Sequence, residues 1–132
     1  MLIYHHIKIT KMDLKSDFEQ QIVKELFEMR QVFHNEHLKT KSYAQHKALQ
    51  DAYEGILDLA DEIIESFQGK YGIVKIDSFT CDYDDMIKYT VNCAEYFEDI
   101  VREGDYPTWV NNQFDEITTL LYQTVYKLKN LK

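Results

Sequence analysis

Read for the spacing of its apolar positions, the chain falls into four stretches of helical period. Phe18, Ile22, Leu26, Met29 and Phe33 step by three or four residues, which puts them on one face of an α-helix. Ser16 or Asp17 suits the start of that helix as a cap, and Leu38 lies near its expected end. A second helix is predicted from Ser42, which with the polar Gln45 three residues on has the form of a capping box. Its apolar set is Leu49, Ala52, Tyr53, Ile56, Leu59, Ala60, Ile63, Ile64 and Phe67. That set is wider than a single stripe, so two faces of this helix are expected to be buried, with Gly69 as the stop. A third helix is predicted from about Asp82 to Arg102, with Met86, Cys93, Phe97, Ile100 and Val101 inward. Pro107 closes it off from a fourth. The fourth starts near Thr108 and turns Val110, Phe114, Ile117, Leu121, Val125 (or Thr124) and Leu128 inward. Its closing "KLKNLK" places cations where a helix dipole favours them. Between the second and third helices, "GKYGIVKIDSFTC" (69–81) reads as a linker with a short extended "IVKI". The pattern predicts an all-α four-helix bundle, one domain over residues 1–132 with a short leading arm over 1–15.

Composition supports this picture and narrows the function. The chain has 132 residues, 45% of them hydrophobic, with only four Gly and one Pro. That is enough apolar material for a core, and too few turn-formers for a sheet-rich fold. The formal charge of −8 repels nucleic-acid phosphates and attracts cations, so DNA binding is expected to be weak or absent. Cys81 and Cys93 make no CxxC pair and fit a reduced, cytoplasmic protein. No apolar run reaches the ~18 residues of a membrane span, and the first residues lack the apolar core of a signal peptide.

One stretch proposes a chemistry. His34 closes the first helix and His46 opens the second, so the intervening turn brings both imidazoles, which are metal-ligand groups, to one end of the bundle. Asp61 and Glu65, four apart, share a face of the second helix and make a hard oxygen half-site. The halves cannot meet within one chain, because fifteen residues of helix separate His46 from Asp61, roughly 22 Å of rise. Two second helices packed antiparallel about a two-fold axis would close two such sites at a dimer interface. His37 is expected to be solvated, Asp58 to line an entry path, Glu62 to serve as a salt-bridge group beside the ligands, and Cys93 to be core.

The series His34, His46, Tyr53, Asp61–Glu62, Glu65 and Gly69 resembles the signature of the Dps family, the ferritin-like dodecameric miniferritins, over about residues 30–69. The resemblance implies a ferritin-like bundle in which His34 and His46 of one chain and Asp61 and Glu65 of its mate bind and oxidise Fe2+. Peroxide or oxygen would accept the electrons, and a homo-oligomer up to a dodecamer would store Fe3+ against oxidative stress. The chain departs from that family at Asn35, where the family carries Trp, and at Gln50, often acidic there. It also has a shorter linker and no basic tail. These departures suit an alternative reading, a non-enzymatic assembly protein, for example one associated with a virion, located in the host cytoplasm or the particle.

Overall fold

The computed structural model describes residues 11–132, with side chains from residue 13 onward. His5, His6 and Lys8 of the leading arm lie outside the described residues. The described residues form four helices. The first, α1, runs over residues 11–39 as Lys11–Asp17, a π-helical stretch Phe18–Val23 and Lys24–Lys39. Then come α2 (Tyr43–Tyr71), α3 (Met86–Glu103) and α4 (Thr108–Asn130).

The expected start of α1 is corrected. Asp17 has helical angles (φ −61°, ψ −46°) and its side chain caps nothing. Leu14, four residues before Phe18, is buried, so tertiary packing carries the apolar stripe and the helix back beyond either capping residue. The wider turn of the π stretch brings two sequence neighbours, Ile22 and Val23, fully into the core. Phe18 stacks on Phe67 of α2 at 3.7 Å.

Ser42 caps α2 as expected, its hydroxyl accepting from the Gln45 amide at 3.2 Å. The return half of the box is relayed. Gln45 Oε1 accepts from the Thr40 hydroxyl, whose oxygen in turn accepts from the Ser42 amide. The expected stop at Gly69 is also corrected, since Gly69 lies inside the helix and α2 runs on to Tyr71. Gly72 ends it, at φ +96° and ψ 169°, a conformation essentially confined to glycine. Gly72→Ala is therefore expected to cost about 1–3 kcal/mol, read as a lower denaturation midpoint with an unchanged slope.

Among the described residues, the "IVKI" segment pairs with no strand. It is pinned to the helices by side chains instead. Gln68 Oε1 accepts from the Val74 amide and Glu19 Oε2 from the Lys75 amide, and Val74 is buried. The connection runs the length of the bundle, because Tyr83 at its far end bonds to Glu36 near the end of α1. Asp85 caps α3 by accepting from the Ile87 amide, and α3 therefore starts level with the end of α1. The closest helix pairings are α1–α2, α3–α4 and α2–α4.

One core joins all four helices. Phe18, Ile22, Leu26, Met29 and Phe33 of α1 are fully buried, as are Val110, Phe114, Ile117 and Leu121 of α4. In α4 both Thr124 and Val125 point inward. On α3, Thr90 and Ala94 are buried while Met86 and Val101 sit at the margin. The wide apolar set of α2 is consumed within the chain, with Leu49, Ala52, Ile56, Ala60, Ile63 and Phe67 all in the core. Gly55 lets α4 approach closely. A Cβ there would lie 2.8 Å from Leu120 Cδ2.

Candidate functional site

The three-residue turn between α1 and α2 brings histidines together, but the central one is His37. It is buried, 7% exposed, and its ring stacks on that of His46 at 3.7 Å. His37 Nδ1–H donates to the His46 carbonyl at 2.7 Å, and His46 Nδ1–H donates to the His37 carbonyl at 2.9 Å. The His37 carbonyl lies in the last turn of α1, where carbonyls lack helical partners, so His46 acts as a side-chain cap across the turn. The expectation of a solvated His37 is corrected. Its burial follows from the turn geometry, which aims residue 37 of α1 at the first turn of α2.

His34 sits one turn back and stacks on Tyr53 of α2 at 4.3 Å. Arg30 lies over the same tyrosine ring, 5.5 Å from its centre. Burial, then the Arg30 charge and His37, hold the His34 imidazole below its ordinary pKa. Asp61 and Glu65 are exposed on α2, in an acidic stripe with Asp51, Glu54 and Asp58. Among the described residues of one chain, no three His, Cys, Asp or Glu side chains converge as a metal would need.

A second polar constellation was not foreseen from the sequence. Along its side facing α3 and the connection, α1 presents Asp17, Gln21, Glu25, Glu28 and Glu36, and hydroxyls or a thiol meet each of them. Tyr106 donates to Asp17 at 2.5 Å and Tyr96 to Gln21 at 3.5 Å. Cys93 Sγ lies 3.6 Å from Glu25, and Tyr89 donates to Glu28 at 3.3 Å. Tyr83 closes the ladder on Glu36. The side chains bridge α1 to α3 where the helices themselves do not pack closely. The signal was present, since 17, 21, 25 and 28 keep helical spacing and 89, 93 and 96 do the same on α3. It was hidden because each acid, taken alone, looks like surface.

The seam pushes its groups toward their neutral forms. Burial, then the Glu28 charge, raises the Glu25 carboxyl above its ordinary pKa. Burial and the nearby acids raise both thiols, Cys93 most through Glu25 and Cys81 through Glu28. Burial, with the bond to Glu36 and its charge, pushes Tyr83 up to about 12. Tyr89 also rises, through burial first and then through Cys93, Glu25 and Glu28 beside it. A thiol held protonated is a poor nucleophile and a poor metal ligand, so this arrangement stiffens the bundle and disfavours thiolate chemistry.

Compared with known proteins, the chain is 29% identical over 101 residues to an "Uncharacterized 14.6 kDa protein in mobD-ri intergenic region" of Enterobacteria phage T4, covering 73% of this chain and 76% of that protein. No solved structure matches. No helix of the described residues is long and apolar enough to cross a membrane. The miniferritin resemblance is overturned, and the structure supplies another origin for its spacing. The twelve residues from His34 to His46 bridge a short turn between facing helices, where one ring packs on Tyr53 and the other locks onto His37. Asp61 and Glu65 fall on the solvent stripe of α2. Over residues 37–128, a span that starts after His34, the chain matches the model of a family of unknown function (DUF5856) rather than the Dps family, and it belongs to that family of unknown function.

Proposed function

We infer that the protein is a non-enzymatic helical component of phage type, one that works by presenting a stable surface to a partner. The observation that carries this reading is the hydrogen-bonded seam between α1 and α3, in which Glu25, Tyr83, Tyr89 and Cys93 are engaged with one another or with Glu28 and Glu36 and are displaced toward their neutral forms. The histidine clasp adds to it, because His37 and His46 both spend Nδ1 on backbone carbonyls. The likeness to a T4 protein favours a phage-encoded chain acting in the host cell or the particle.

Fe2+ oxidation tests this against the miniferritin chemistry. Purified protein is given Fe2+ with air or with peroxide, and Fe3+ formation is followed by absorbance. The expected rate equals that of buffer and is the same for His34→Ala, His46→Ala, Asp61→Ala and Glu65→Ala. Acceleration by the natural chain that is lost in Asp61→Ala and Glu65→Ala would replace the binding reading with an intersubunit iron site.

A further inference from the structure

We propose that the bundle end formed by the α1–α2 turn and the C-terminus of α4 is a docking pocket for an acidic peptide segment carrying an apolar anchor residue. This rests on the reading of the chain as a binding component and names the surface that does the binding. The pocket is about 540 Å³, floored by Leu128 and Leu131 and lipped by Tyr43, with Lys129 and Lys132 on its wall. Lys41, exposed, directly precedes the lining residue Ser42, and the exposed Lys47 follows the lining residue Gln45 by two positions.

The end is one of several places where large apolar side chains stay exposed. Tyr43 is 76% exposed and Leu131 46%, both line the same pocket, and exposed apolar groups collected at one place mark interaction surfaces. Tyrosine supplies contact area with little entropy to lose, and lysine stems cover apolar surface while their charges stay in water. Charge selects the occupant. The chain carries −8 overall, yet the pocket wall is cationic, and complementary potential steers association and sets specificity.

A nucleic acid is the poorer fit. Its phosphates would extend from the lysines toward Asp51 on α2 and toward Asp82, Asp84 and Asp85, which line a separate pocket before α3, level with the end of α1. A short peptide stays beside Lys129 and Lys132 and gives Leu128 and Leu131 a side chain to bury against. Asp51 is held by Lys127 at 3.3 Å, which leaves Lys129 and Lys132 facing the pocket.

The test uses a labelled peptide of alternating Glu and Leu, its Lys–Leu counterpart and a single-stranded oligonucleotide, each titrated into the full chain by fluorescence anisotropy. NMR shift mapping locates the contact. The acidic peptide should bind with Kd of about tens to hundreds of micromolar, as suits one small pocket, weaken as salt rises, and shift Tyr43 and Leu131. Lys129→Glu with Lys132→Glu should weaken it about tenfold or more. Tyr43→Ala, on an exposed side chain, should weaken it without lowering Tm. The proposal fails if the acidic peptide does not bind or shifts residues elsewhere. It fails equally if the oligonucleotide binds more tightly, or if the end proves buried in a concentration-dependent self-association. Those failures concern the pocket alone, because the iron assay decides the binding reading separately.

Discussion

His37→Ala lowers the unfolding free energy by about 2–3 kcal/mol, the largest loss expected from any of the three histidines in the α1–α2 region. The estimate combines the cavity left by a buried ring with one lost hydrogen bond. His37 is buried and touches His46 face to face and Tyr53 edge-on, so nothing nearby can refill its place. His46→Ala costs less, about 1–2 kcal/mol, because that ring is only half-buried and its loss mainly uncaps the His37 carbonyl. His34→Ala costs least, since one face of its ring rests on Tyr53 and the residue is partly open to water. The double change at 37 and 46 should cost clearly less than the sum of the two, as both variants break the same stack and the same pair of bonds. Urea denaturation at fixed pH measures all four proteins. A metal site built on His34 and His46 demands the reverse order, with His37 silent and the other two costly once metal is bound. A silent His37→Ala would therefore remove the clasp as the reason these histidines lie together.

That reversal shows what the sequence could and could not express. The inward positions of α1 and α4 were legible almost to the residue, because a period of 3.6 in large apolar side chains leaves one solution for a bundle. Ser42 was legible because a hydroxyl before an apolar-periodic run has one common use. The ends were less so. Leu14 prolongs α1 past Ser16 and Asp17, and Phe67, four residues before Tyr71 and in ring contact with it, prolongs α2 past Gly69. In both places packing outweighs a local stop signal, and only Gly72, whose φ no other residue adopts easily, ends the second helix. The π stretch leaves no periodic trace that six residues could carry. The polar seam was missed for a different reason. A carboxylate on a helix is read as solvent-facing by default, and the tyrosines that cover Asp17, Glu28 and Glu36 come from positions 106, 89 and 83, too distant in the chain to suggest pairing. The histidine spacing misled because facing helices joined by a short turn place side chains at similar separations whether they hold a metal or each other.

Glu25→Gln is expected to raise the melting temperature at pH 7.5, an unusual sign for a change inside a packed seam. The natural carboxyl is held above its ordinary pKa by burial, and next by the Glu28 charge, so at neutral pH the folded chain bears the cost of a charged form it disfavours. Glutamine keeps a carbonyl oxygen for the Cys93 thiol, which lies 3.6 Å from the present carboxylate. It also turns an amide N–H toward Glu28 in place of a like charge. The pH dependence follows from the direction of the shift. The folded state binds this proton more tightly than the unfolded chain does, so the natural protein gains stability as pH falls through the folded-state value of Glu25. That gain levels off below the ordinary carboxyl value. The variant has no such proton to take up. Its advantage should therefore be full above the folded-state value, shrink as pH falls and vanish near pH 4, while the other acids titrate alike in both proteins. Calorimetric scans of the pair from pH 8 to pH 4 read the difference directly. A variant less stable than the natural chain at pH 7.5, with the deficit persisting at low pH, would mean that the Glu25 carboxylate makes a bond the seam needs. The ladder from Asp17 to Glu36 would then be held by its charges rather than by its hydroxyls.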